Sequence, residues 1–252
     1  MVHLIEVLAG ADTDKIRRWG HDQLTTYGIG TELSRPAWAA DSSCAIAGVE
    51  RIVAIGDVHG AYDRLVAILR AAGLLDTRLR WAGGRTHLVQ TGDILDRGAD
   101  SRKALDFLHR LENDARRAGG GVHLLLGNHE VMRILGDLRF VSPGEYEAFV
   151  TANSERTRRT FLEPSSDDAR SQKDTPLNTL LNTPLGFVEM RLAFGRDGEY
   201  GRWLRKSDVA VKINGILFLH GGISPAMADL DCEALNTRVR RDITSDLDKS
   251  RG

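Results

Sequence analysis

Cysteine and net charge are what this sequence has least of. Cys44 and Cys232 are its two cysteines, far apart in 252 residues. Two such residues exclude a disulfide-framework scaffold and a cysteine-rich zinc site. Lysine and arginine total 34 and aspartate and glutamate 35, a formal charge of −1. No global field therefore draws the chain to nucleic acid or to an acidic membrane, and no nucleic-acid partner is expected. The arginine clusters SERTRRT (154–160) and NTRVRRD (236–242) read as solvated helix faces. No apolar run approaches the roughly 20 residues that span a bilayer. The opening MVHLIEVLAGADTDK has no basic stretch and makes a poor secretory signal. AWAADSS (37–43) has the small residues of a cleavage site, without the apolar segment that should precede it. The expected compartment is the cytoplasm, with the periplasm as the alternative.

The chain does have a rhythm. RIVAI (51–55), THLVQ (86–90) and VHLLL (122–126) are short apolar runs that predict buried strands. AYDRLVAILRAAGLL (61–75) and SRKALDFLHRLENDARRAG (101–119) carry apolar residues at helical spacing and end near glycine. Strands alternating with helices predict an α/β protein with a largely parallel sheet. VAVKIN (209–214) and GILFLHGG (215–222) predict two adjacent strands joined at Asn-Gly. Residues 1–46 read as an N-terminal extension with a helix near 12–25, and 47–252 as one domain. The polar, proline-punctuated stretch at about 140–200 reads as an insertion that covers or shapes a site, or as a mobile linker.

Each apolar run ends in a short, glycine-flanked set of oxygen and imidazole groups. The first is followed by GDVHG with Asp57 and His59, and the second by GDILDRG with Asp93, Asp96 and Arg97. The third is followed by GNHE with Asn128 and His129, and the last by HGG with His220. One such stretch alone is ordinary turn chemistry. Four at the carboxyl ends of strands, where α/β sheets bind ligands, predict a metal site.

These four motifs, in this order, resemble those of the calcineurin-like metallophosphoesterases, and within them the phosphoprotein phosphatases, most of all the bacterial Shewanella-like type. The resemblance covers about 51–135 and 203–228 and implies a four-layer α/β/β/α sandwich. It implies two divalent cations, with Mn the first choice and Fe or Zn as alternatives. Asp57 and His59 would hold one, Asn128 and His220 the other, and Asp93 would bridge them. Carboxylate, amide oxygen and imidazole suit such ions better than a soft thiolate site would. A bridging hydroxide would attack phosphorus in line. Arg97 would grip phosphate oxygens, with Asn128 also facing substrate. His129 would protonate the leaving alcohol, oriented by Asp96. Arg202 and Arg205, in GRWLRK, are candidates for substrate phosphate or for a helix end in solvent. Glu130 reads as a helix-start or supporting residue, and His123 as a core histidine.

The family supplies a further histidine downstream of HGG. Here no histidine follows His220, so the chain reads as C-terminally incomplete relative to the family, with part of the sheet missing. The expected activity is that of a metal-dependent phosphomonoesterase acting on serine/threonine or broader phosphoproteins or on small phosphoesters. The alternatives are a dinucleoside-polyphosphate hydrolase on the same fold and a weakly active or inactive metal-binding fragment.

Overall fold

The computed structural model describes residues 44–162 and 183–249. The helix expected near 12–25 and the middle of the expected insertion lie outside them. The first sheet is three parallel strands: β1 is Ala45–Ile46 in the other sheet, and β2 (Ile52–Ile55), β3 (His87–Gln90) and β4 (Gly121–Leu124) lie side by side in chain order. Two helices cross between them, α1 (Tyr62–Ala71) and α2 (Ser101–Arg117). The long helix α2 buries Ala104, Leu105, Leu108, Leu111 and Ala115, a stripe at three- and four-residue intervals, and turns its charges outward.

The second sheet has the order β1, β5 (Ala210–Ile213), β6 (Ile216–Leu219). β5 and β6 form the expected hairpin, with Asn214 and Gly215 at φ 51° and 84°. Those paired positive angles are what a two-residue turn between twisted strands requires. β1 pairs in parallel with β5, so strand structure begins inside the stretch expected to be an extension.

Alternation along the strands builds the layers. Val89, Val211, Ile213 and Phe218 pack with Ile46, Ile52 and Ala54 into a core between the two sheets. Leu88, Ile55 and Leu124 face the other way and join Leu65, Leu69, Leu105 and Leu108 of the helices. On the far side, Cys44, Ala210, Leu217 and Cys232 form a third cluster under α8 (Cys232–Lys249). The result is the expected helix–sheet–sheet–helix sandwich. Between β4 and β5 run α3 (Asn128–Leu135), α4 (Pro143–Glu147), α5 (Ser154–Leu162), α6 (Phe187–Phe194) and α7 (Glu199–Leu204). Cys44 and Cys232 are joined as a disulfide across 188 residues, tying the start of β1 to the start of α8. This is one cross-link between distant segments, not a framework, and no local pattern announces it.

Candidate metal centre

The four strand-end motifs meet at one rim. Val58 and His59 N–H groups both donate to the Asp93 carbonyl at 2.9 Å, and Gly98 N–H donates to the His59 carbonyl at 3.0 Å. The turns after β2 and β3 are thereby stitched together. A Cβ on Gly98 would overlap the His59 carbonyl, so only glycine permits that approach. Gly127 is equally constrained, because a Cβ there would overlap Asp93 Oδ1.

The donor atoms converge in two groups that share Asp93. Asp57, Asp93 and His220 form one, and His59, Asp93 and His129 the other, each with its ligand atoms within 4.8 Å of one another. His59 Nδ1 is hydrogen-bonded to the Leu95 carbonyl at 2.9 Å, which leaves Nε2 facing the carboxylates. That Nε2 is buried without a hydrogen-bond partner, 3.5 Å from Asp57 Oδ2 and 3.7 Å from Asp93 Oδ2. His220 repeats the arrangement: Nδ1 meets the Thr91 carbonyl at 3.1 Å, and Nε2 lies 3.3 Å from Asp93 Oδ2 and 3.1 Å from Asn128 Oδ1. A backbone carbonyl on one ring nitrogen is how proteins orient the other toward a cation. The orphaned imidazole nitrogen and the carboxylates around it fit divalent cations.

His129 lies 2 % exposed with Nδ1 2.7 Å from Asp96 Oδ2. Its Nε2 is 3.4 Å from the guanidinium of Arg97, which is otherwise exposed. Asp96 is itself held from behind. The buried Arg133 donates to Asp96 Oδ1 and, at 2.8 Å, to Glu145 Oε2. The Arg133 guanidinium lies 5.0 Å over the Phe194 ring. Glu145 and Phe194 belong to the stretch expected to be an insertion, so that stretch braces the site from beneath.

Glu130 was expected at a helix start or in support of the site, and it stands at both places. It is fully buried and accepts four backbone N–H groups: Asp93 at 2.7 Å, Gly127 at 2.9 Å, Ile94 at 2.8 Å and Leu95 at 3.2 Å. Burial pushes its carboxyl up, while the bonds from Gly127, Asp93 and Ile94 pull it down. The capping-box position of Glu130, three residues past Gly127, is the sequence signal for part of this clamp.

His59, Asp93, Asp96 and Arg97 all have left-handed backbones, at φ 47°, 58°, 70° and 67°. Such conformations in residues other than glycine gather at functional sites. Arg202 and Arg205 are placed elsewhere. Arg202 donates to the Asp197 carbonyl, and Arg205 to the Gly201 carbonyl at 2.8 Å. Both cap their own helical hairpin, and among the described residues neither bonds to the cluster. His123 stacks on His87 with Nε2 2.9 Å from His87 Nδ1, and burial, aided by His87, lowers it to about 4.

The model of the calcineurin-like phosphoesterase family matches residues 50–250. A second model, of the RQC domain, matches residues 1–44. Shewanella-like protein phosphatase 2 of Arabidopsis thaliana is 34% identical over 210 residues, 76% of this chain and 51% of its own length. The symmetrical bis(5'-nucleosyl)-tetraphosphatase of Escherichia coli is 36% identical over 151 residues, 59% of this chain and 44% of its own. The crystal structure of a cold-active protein-tyrosine phosphatase from a psychrophilic Shewanella species superposes with a TM-score of 0.59 at 33% identity, covering 84% of this chain and 53% of that one. The chain thus spans about half the length of the relatives it matches.

Proposed function

Because the chain belongs to the calcineurin-like phosphoesterase family, we propose that it is a metal-dependent phosphomonoesterase acting on phosphorylated protein side chains. The observation that carries this reading is the convergence of Asp57, His59 and His220 on Asp93, with Asn128 against His220 and a buried His59 nitrogen left unpartnered. In this reading Asp57 and His59, 3.5 Å apart, would hold one cation and Asn128 and His220, 3.1 Å apart, the second, with Asp93, the residue common to both donor groups, available to each, and His129 kept for the leaving group. A pair of divalent cations, Mn before Fe or Zn, supplies neutralising charge to the phosphoryl oxygens and nucleophilic water at neutral pH.

The chain's own groups do the rest. Arg97 binds and orients phosphate oxygens with its planar fork. His129 holds a proton at Nε2 and gives it to the leaving oxygen, while Asp96 receives the Nδ1 proton bond and fixes the ring. Phosphoserine and phosphothreonine are the proposed targets, and the name of the Shewanella structure extends the range to phosphotyrosine. The disulfide supports an oxidising compartment, the periplasm, over the cytoplasm, where thiols are kept reduced.

The test is hydrolysis of p-nitrophenyl phosphate with added Mn²⁺ beside an Asp93→Asn variant. The reading expects the variant to lose at least about 100-fold in turnover and to bind less Mn²⁺. Equal background in both chains would leave a metal-binding module without activity. Diadenosine tetraphosphate cleaved faster than phosphopeptide would move the substrate to the dinucleoside polyphosphates.

A further inference from the structure

A second feature lies beside the rim and takes no part in the cation cluster. A cavity of about 410 Å³ opens between α1 and α2, lined by Tyr62, Lys103, Phe107 and Arg110 together with Arg102 and Asp106. Tyr62 starts α1 immediately after the GDVHG turn, and Arg102 and Lys103 lie in the first turn of α2, just past Arg97. The two turns that feed these helices are joined through Gly98 and His59, and again through the Asp100 N–H and the Gly60 carbonyl at 3.3 Å. Tyr62 and Arg102, in the first turns of α1 and α2, are therefore the lining residues that stand nearest the site along the chain.

Its charge is positive and preset. Lys103 Nζ sits 4.0 Å over the Tyr62 ring, and the Arg110 guanidinium 5.2 Å from the Phe107 ring centre. Resting on aromatic faces, these long side chains have less freedom to lose when an anion arrives. Among the described residues neither forms an ion pair with a carboxylate; Arg110 donates only to the Leu79 carbonyl, at 3.2 Å. Asp106, the one acid in the lining, is already engaged by the Tyr200 hydroxyl at 2.6 Å and by Arg102 at 4.0 Å. Of the three lining cations Lys103 and Arg110 are exposed, and these two call for a negatively charged occupant.

We propose that this cleft binds an acidic segment of the phosphoprotein substrate, next to the phosphorylated side chain. Lys103 and Arg110 are seven residues apart on one helix, about 10 Å along its axis. A peptide in the polyproline II conformation advances about 3.1 Å per residue and returns every third side chain to one face, so the matching acidic side chains stand three residues apart. The proposal rests on the phosphatase reading for its substrate, and the experiment separates the two.

Fluorescently tagged, unphosphorylated Asp-x-x-Asp, Asn-x-x-Asn and Lys-x-x-Lys peptides are titrated with the protein, anisotropy being read at low and at physiological salt. The Asp peptide is expected to bind at least about tenfold tighter than the Asn peptide, the gap narrowing with salt. Lys103→Glu with Arg110→Glu should erase that preference and transfer it to the Lys peptide. In turnover, the same double variant should raise KM for acid-flanked phosphopeptides about tenfold. Hydrolysis of p-nitrophenyl phosphate, which has no segment to reach the cleft, reports whether the variant is folded. Equal or undetectable binding of the Asp and Asn peptides, or a preference unchanged in the double variant, would overturn the proposal. Charge-dependent peptide binding without any phosphatase turnover would instead sink the phosphatase reading and leave the cleft standing.

Discussion

Replacing Glu130 by glutamine would exchange one carboxylate oxygen for an amide nitrogen inside a pocket made of donors. Oε2 accepts from Asp93 and Gly127, and Oε1 from Ile94 and Leu95. Whichever way the glutamine turns, its NH₂ faces two buried backbone N–H groups and satisfies neither. Each orphaned donor costs about 1–3 kcal/mol, so Glu130→Gln should destabilise the fold by about 2–6 kcal/mol. At roughly 2–4 °C per kcal/mol for a chain of this size, the melting temperature should fall by roughly 4–24 °C. Urea unfolding followed by circular dichroism measures the loss, and a Mn²⁺ titration of the folded variant should show weaker binding, since two of the four donors frame Asp93. A variant within about 0.5 kcal/mol of the parent would refute the reasoning. It would mean that the four amides have other acceptors available, and that the backbone of Asp93 does not depend on this carboxylate.

The disulfide closes a 188-residue loop, which chain-entropy reasoning values at about 5 kcal/mol. Adding a phosphine reductant should therefore lower the melting temperature of the parent and leave a Cys44→Ala, Cys232→Ala chain unmoved; identical melting with and without reductant contradicts this. Burial lifts the Glu112 carboxyl to about 7, against Arg116 and Trp203, from an ordinary 4.5. The folded state thus binds the extra proton between pH 4.5 and 7, and that contribution to stability is full below 4.5 and lost as pH rises through 7. Glu112→Gln should be more stable than the parent near pH 8, with the gain gone by about pH 4.5, as read from melting curves across pH. His129→Asn should slow phenyl phosphate hydrolysis by about 100-fold or more, and p-nitrophenyl phosphate much less, because nitrophenolate leaves without a proton. Equal losses on both would remove His129 from the proton-donor role.

Much of the architecture could be read directly from the residues. The β5–β6 hairpin is written in Asn214-Gly215, and the stripe of α2 in the spacing of Ala104, Leu108, Leu111 and Ala115. The candidate ligands were legible because each follows an apolar run and glycine relaxes the backbone beside it. Groups that act across long chain separations were not. Arg133 meets Asp96 from 37 residues away, Glu145 arrives from the proline-punctuated stretch, and Cys44 finds Cys232 only once α8 packs on the sheet of β1, β5 and β6. β1, two residues long, is too short for any period to show. Arg202 and Arg205 stood between two expectations, substrate phosphate and a helix end, because an arginine near a motif suits an anion and a main-chain carbonyl equally well; in the structure both donate to nearby carbonyls.

The left-handed backbones of His59, Asp93, Asp96 and Arg97 carry an evolutionary corollary. At each of them glycine would relax the main chain, by an amount on the order of 1 kcal/mol, while deleting the side chain the site is built around. Directed evolution for heat resistance alone should therefore accumulate replacements at these four positions, and its hardiest descendants should be catalytically mute. Sequences that keep all four non-glycine residues would be those under continuing pressure to turn over substrate.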